Sequence, residues 1–177
     1  VITVDASLAS LSREPFFHYQ VKYTFTAGGN VGVALNGEFD KQGRKYLPRL
    51  GFEFTTEANE FTYFGYGPYE SYCDIHNASK LGMYESTAEN EYVNYVKPQE
   101  HGNHFGVKYF KLGGFEFIPE KSFEICVSEY STKELSTKLH NFELQKNGLT
   151  NVRIDYKVSG IGSNSCGPEL LDIYCLD

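Results

Sequence analysis

Basic residues are scarce in this chain of 177 residues: 16 Lys and Arg stand against 23 Asp and Glu, leaving a formal net charge of −7. Nucleic-acid binding is excluded on that ground, since phosphate contacts need clustered cations. No apolar run approaches the roughly 20 residues of a membrane-spanning helix. No charged and apolar leader opens the chain. There is no C-x-x-C pair among Cys73, Cys126, Cys166 and Cys175, so neither a zinc site nor a dense disulfide framework is indicated. Buried free thiols in a reducing compartment, and hence a cytoplasmic location, are expected instead. There is no internal repeat. Tryptophan is absent and methionine occurs once, at Met83. Because Val1-Ile2-Thr3-Val4-Asp5 already alternates like a strand, a fragment of something longer is expected.

What is abundant is Tyr and Phe, 14 of each. Flat rings suit half-buried pleated surfaces. Period-two alternation runs through Phe17–Phe25, placing Phe17, Tyr19, Val21, Tyr23 and Phe25 on one face. Further strands are read at 31–35, 50–54, 60–64, 106–110, 115–118, 123–128, 152–158 and 170–176. Turns are expected at Gly28-Gly29-Asn30, Asn36-Gly37 and Asn147-Gly148, where the backbone must tolerate positive φ. Short loops between strands point to an antiparallel sandwich, taken as a single domain over 1–177. One helix is expected: Ser131-Thr132-Lys133-Glu134 forms a capping box, and Leu135, Leu139 and Phe142 form a stripe for burial on a sheet. His140 would then face the negative end of the helix dipole.

The densest chemistry lies in Phe64–Asp74, Phe-Gly-Tyr-Gly-Pro-Tyr-Glu-Ser-Tyr-Cys-Asp, with four aromatics, two glycines, a proline and two acids. Glycine and proline stiffen it. Such a run makes either a sugar-binding surface or a packed corner. Glu70 and Asp74 invite comparison with a glycosidase acid pair, yet acids on one loop more often tie down amides and a nearby arginine. His101-Gly102-Asn103-His104 holds two imidazoles without an evident third metal ligand. Gly160–Pro168 is glycine-rich but lacks the lysine of a phosphate loop. Cys166 has no histidine base placed beside it by sequence.

Five segments in order make a more specific signal: Leu47-Pro48-Arg49-Leu50-Gly51, then Phe64–Asp74, then Tyr95-Val96-Lys97-Pro98-Gln99-Glu100-His101-Gly102-Asn103, then Phe123–Tyr130 with its helix, then Gly160–Pro168. Together they resemble the C-terminal domain of family 2 β-galactosidases, also found as the small chain of two-chain enzymes. The resemblance implies an all-β antiparallel supersandwich of galactose-mutarotase type with one short helix. It implies a retaining β-galactosidase whose catalytic glutamates, with Mg and Na sites, lie in other domains, so that this chain carries no catalytic residue and no metal. The chain would support the enzyme structurally and form part of its active-site rim through Ser163, Asn164, Ser165 and Cys166. Some family members place a tryptophan where Cys166 stands, and cysteine cannot supply that stacking ring. Arg49, Glu70, Asp74, Glu100 and Asn103 are expected to be structural, with Arg49, Glu70 and Asp74 in one buried network. Implied partners are the rest of the β-galactosidase or its large subunit, other copies in a homo-oligomer, and a galactoside. Two alternatives stand beside this reading. An aldose mutarotase would need a histidine acid and a glutamate base over a sugar. A carbohydrate-binding module would use Tyr66, Tyr69 and Tyr72 as stacking platforms.

Overall fold

Alternation of apolar and polar residues governs nearly every element of the structure, a computed structural model that describes residues 1–40, 45–162 and 167–177. These residues fall into two compact units, Val1–Leu47 with Asp177, and Pro48–Leu176. Among the described residues no helix is long and apolar enough to cross a membrane.

The first unit is a three-stranded antiparallel sheet of β1 (Ile2–Leu8), β2 (Phe17–Phe25) and β3 (Val31–Phe39) in the order β1-β2-β3. Its register pairs Val4 with Val21 and Val21 with Leu35. The turn expected at Gly28–Asn30 closes the β2–β3 hairpin: Gly29 takes φ +84°, and the Asn30 amide donates to Thr26 Oγ1 at 3.2 Å. The turn expected at Asn36-Gly37 does not form. Both residues lie inside β3, opposite Gln20 and Tyr19. The hairpin at residues 26–30 fixes the register, and Gly37 serves that register because the Phe17 ring occupies the space its Cβ would need.

The second unit holds β4 (Arg49–Thr56), β5 (Glu60–Gly67), β6 (Lys80–Thr87), β7 (Asn103–Val107), β8 (Tyr109–Leu112), β9 (Phe115–Phe117), β10 (Phe123–Ser128) and β11 (Thr150–Val158). They form two four-stranded antiparallel sheets, β4-β11-β10-β7 and β6-β5-β8-β9. On β5, Phe61 and Tyr63 are buried while Thr62 and Phe64 are half-buried, the period of two that a one-sided strand requires. Phe61, Tyr63, Phe110 and Leu112 from one sheet meet Val107, Phe123, Ile125, Val127 and Val152 from the other in a single core. Phe110 packs edge-on to Phe61 with ring centres 5.8 Å apart, and stacks on Phe117 at 5.4 Å. The fold is therefore all-β and antiparallel, with one short helix.

That helix, α1 (Thr132–Thr137), starts as the sequence implies: Ser131 Oγ accepts the Glu134 amide at 3.1 Å. It ends sooner. Lys138 is extended, only Leu135 of the expected stripe is buried, and Leu139 and Phe142 are exposed. Glu134 does not reach back to its cap; its carboxylate accepts the Gln145 amide at 2.9 Å. Glu143 accepts the amides of Leu139 and His140 at 2.9 and 2.8 Å, so a separate 3-10 turn, Asn141–Glu143, takes over the chain. His140 caps that turn rather than the helix terminus. Residues 170–176 are not a strand either: the amides of Tyr174 and Cys175 bond three residues back, to Leu171 and Asp172, which winds Asp172–Tyr174 into a 3-10 turn.

Candidate functional site

Strand β10 is buried along its whole length. Ile125 and Val127 point into the apolar core, so Glu124, Cys126 and Ser128 must face the other side of the sheet. The neighbouring strand repeats the pattern, Val152 and Ile154 inward, Arg153 and Asp155 outward. Cross-strand pairing then aligns two polar rows. One runs Glu53, Arg153, Cys126, Asn103 across all four strands, and the other runs Gly51, Asp155, Glu124. Gly51 has no side chain because the Asp155 carboxylate and the Ile154 carbonyl occupy that space.

The motif loops close over these rows. Arg49 sends its guanidinium to Asp155 through two hydrogen bonds and to Glu100 at 2.9 Å. Arg153 meets Glu100 at 3.2 Å, Thr132 Oγ1 at 2.9 Å and the Cys126 sulfur at 2.6 Å. Cys126 donates to the His101 carbonyl at 3.2 Å. Burial pushes its thiol up to about 11 in spite of the adjacent guanidinium, so it stays protonated and unreactive. Glu124 accepts the Val158 amide at 3.0 Å and the Asn103 amide group at 2.6 Å. Burial outweighs both bonds and raises its pKa from 4.5 to about 7. Burial likewise raises Asp155, against the pull of Arg49. Two guanidiniums thus face three carboxyls, and burial favours the protonated form of Glu124, which limits the cost of unpaired buried charge.

Of the residues expected to be structural, Arg49, Glu100 and Asn103 are brought together here. Glu70 and Asp74 bind other groups, and no hydrogen bond or ion pair joins Arg49 to either among the described residues. Glu70 accepts the Tyr95 hydroxyl and, at 2.9 Å, the Gly102 amide, tying the Phe64–Asp74 run to the loop before β7. Gly102 sits at φ +71°, where a side chain would also strike the Glu91 carbonyl. Ser71 adds a second tie, its amide donating to the Asn103 carbonyl at 2.7 Å and its hydroxyl accepting the Phe105 amide at 2.9 Å. Asp74 accepts the amides of Ile161 and Gly162 at 3.1 and 2.7 Å. A Cβ on Gly160 would lie 2.6 Å from the Asp74 carboxyl carbon, so the aromatic run clasps the approach to the Gly160–Pro168 loop. Ser163, Asn164, Ser165 and Cys166, expected at the rim, lie outside the described residues.

Each acid of the Glu70/Asp74 pair is thus committed to loop groups, an arrangement that stiffens loops. His101 and His104 do not converge on a metal: His101 Nδ1 meets the Gln99 carbonyl at 2.9 Å, while His104 Nε2 meets Glu91 at 2.8 Å and its Nδ1 the Tyr63 hydroxyl at 2.9 Å. Among the described residues no three His, Cys, Asp or Glu are grouped to hold a metal ion. The Glu91–His104 pair has the residue types of a mutarotase acid and base, but Tyr63, Glu91 and His104 are all buried, sealed from any sugar. Tyr72 is buried as well and offers no stacking face, whereas Tyr66 is half-buried beside His76 and Phe105. Sequence reasoning missed Glu124, Cys126, Arg153 and Asp155. Their signal was present as charged or polar residues alternating with aliphatic ones in Phe123–Ser128 and Thr150–Val158.

Fold and polar face together define an antiparallel β domain in which Glu70, Asp74, Glu100 and Glu124 hold loop and strand groups in place. Residues 1–177 match, end to end, the family described as beta galactosidase small chain, and the chain belongs to that family. It is 40% identical over 176 residues to a β-galactosidase of Actinobacillus pleuropneumoniae, covering 98% of this chain and 17% of that one. Identity to a β-galactosidase of Kluyveromyces lactis is 32% over 188 residues, covering 99% of this chain and 18% of the relative. A Streptococcus thermophilus β-galactosidase is 30% identical over 154 residues, covering 82% and 15%. The chain therefore spans less than a fifth of the length of these relatives.

Proposed function

We propose that this chain works as the small-chain portion of a β-galactosidase that hydrolyses terminal, non-reducing β-D-galactosides, with the catalytic glutamates in a barrel domain outside it. The reaction would follow the retaining, double-displacement route. The contribution of this portion is architectural: it stiffens a set of loops and holds one of them, Gly160–Pro168, as part of the active-site rim. Ser163, Asn164, Ser165 and Cys166 line that rim and shape aglycone preference, without the stacking ring a tryptophan would give. Full-length family membership supports the activity. The single observation that supports the rim role is the clasp of Asp74 on the amides of Ile161 and Gly162, which spends a carboxylate on fixing the approach to that loop.

Kinetics of the complete enzyme test this reading. Asn164→Ala, Cys166→Ala and Asp74→Ala are expected to change KM, or the ratio of rates for two aglycones, by severalfold, a fraction of the 1–3 kcal/mol typical of one pocket contact. If all three variants keep wild-type kcat and KM on both substrates, the rim role is wrong. If the complete wild-type enzyme does not cleave o-nitrophenyl β-galactoside, the activity itself is wrong.

A further inference from the structure

The sheet β6-β5-β8-β9 turns Phe61 and Tyr63 into the core, so Glu60, Thr62, Phe64 and Tyr66 stand on its outer face. Register then fixes their neighbours: Thr62 lies between Glu85 of β6 and Lys111 of β8, and Phe64 lies between Met83 and Tyr109. A polar row and an aromatic row therefore run side by side, two residues or roughly 7 Å apart along the strand. The polar row borders an open groove of about 480 Å³ lined by Glu60, Thr62, Glu85, Thr87, Asn90 and Lys111. That volume lies in the range of small-molecule sites. The side chains of Glu60, Thr62, Glu85, Asn90 and Lys111 make no hydrogen bond or ion pair among the described residues, so all five are available to a ligand.

We infer that this groove binds a neutral saccharide, whose hydroxyls meet the polar row while a pyranose ring lies over Phe64. Charge selects against other ligands. Glu60 and Glu85 repel a phosphate or a carboxylate, and Lys111 repels a cation. A hydroxyl suits both signs, because it donates to a carboxylate and accepts from an ammonium. Thr62, Thr87 and Asn90 add uncharged groups that pair with hydroxyls in the same way. Thr87 Oγ1 accepts the Asn90 amide at 3.3 Å, which fixes the turn that carries Asn90. The C–H face of a pyranose is apolar and covers the half-buried Phe64 ring. A linear polyol has the hydroxyls but no such face, and so lacks half of the match. That a galactoside is the saccharide met here rests on the β-galactosidase reading; the preference for a neutral pyranose does not.

Thiol labelling in the complete enzyme tests the site without turnover. Asn90→Cys places a reporter in the groove and leaves Glu60, Glu85 and Lys111 intact. Leu139→Cys, at an exposed position outside the groove, serves as the control. Maleimide labelling at each position is followed by peptide mass spectrometry, with and without methyl thio-β-D-galactoside, which carries no cleavable oxygen link. Protection at position 90 is expected to be half-maximal at roughly millimolar concentration, with none at position 139. Adding Lys111→Ala should raise that concentration roughly tenfold, as the loss of a hydrogen bond to a charged group does. Sorbitol at the same concentration should not protect. Three results would overturn the proposal: no protection at concentrations roughly tenfold higher, equal protection at position 139 or by sorbitol, or protection that Lys111→Ala leaves unchanged. Cleavage of o-nitrophenyl β-galactoside plays no part in this readout, so a failed site and a failed activity are told apart.

Discussion

In the sheet β1-β2-β3, Phe17 and Val21 are buried while the ends of the same apolar face, at Ile2 and Val33, remain half exposed. In the sheet β4-β11-β10-β7, both faces are covered along the central strand β10 and most of β11: Ile125, Val127 and Val152 lie against the rings of β5 and β8, and Glu124, Arg153 and Asp155 lie beneath their own loops. Identical alternation thus produces one sheet whose burial is finished locally and one whose burial is not. The difference lies in the loops that leave each strand. The second unit has long ones, 68–79 and 88–102, and Glu70, Ser71 and Asp74 tie its loop segments down. The first unit joins β2 to β3 by a tight hairpin. A β-sheet becomes self-sufficient through its connections as much as through its strands.

Phe110→Ala should show the largest effect, about 3–5 kcal/mol of lost stability in the complete enzyme measured by denaturant titration, since a fully buried ring between Phe61 and Phe117 leaves a cavity. A loss below about 1 kcal/mol would break the claim that the second unit closes its own core. Next comes Asp155→Ala, at about 3 kcal/mol, because it leaves the Arg49 and Arg153 charges with one acid fewer beneath the loops. A smaller and pH-dependent effect belongs to Glu124. Its folded pKa, about 7, lies above its ordinary value of 4.5, so its contribution favours the fold below about 4.5 and is lost as pH rises through 7. Glu124→Gln should flatten the fall in Tm between pH 5 and pH 8; an unchanged slope would remove Glu124 from the account. Ser131→Ala, which deletes the helix cap, should cost about 1 kcal/mol. The smallest change is expected for Tyr72→Phe: the Tyr72 hydroxyl is buried without a hydrogen-bond partner among the described residues, so removing it should be neutral or slightly stabilising in a thermal melt.

The all-β antiparallel fold was legible in residues such as Phe17–Phe25 and Phe123–Ser128, where period-two alternation survives intact because each strand has a face to bury. Tyr and Phe reinforced it. Local signals failed where a longer-range partner competed. Asn36-Gly37 reads as a turn, but the register set by Gly28–Asn30 draws it into β3. The stripe Leu135, Leu139, Phe142 reads as a helix, but Glu143 captures the amides of Leu139 and His140 and ends it. In the candidate site, Arg49, Glu100 and Asn103 were legible only as structural residues; the network expected for Arg49 was with Glu70 and Asp74, whereas it meets Asp155 and Glu100. Their partners Arg153 and Asp155 come from a strand more than a hundred positions beyond Arg49, and sequence spacing carries no record of which acid a distant arginine will meet.

The clasp at Asp74 also sets a rule for anyone wishing to transplant the Gly160–Pro168 loop between relatives. The loop is not a module that begins at residue 160. Its first turn is held by a carboxylate 88 positions upstream of Gly162, and Gly160 leaves room for that group by having no side chain at all. A graft that imports a bulkier residue at 160, or lands in a host without an acid at 74, would carry the right loop on the wrong hinge. The unit of exchange is the pair of segments, Phe64–Asp74 together with Gly160–Pro168.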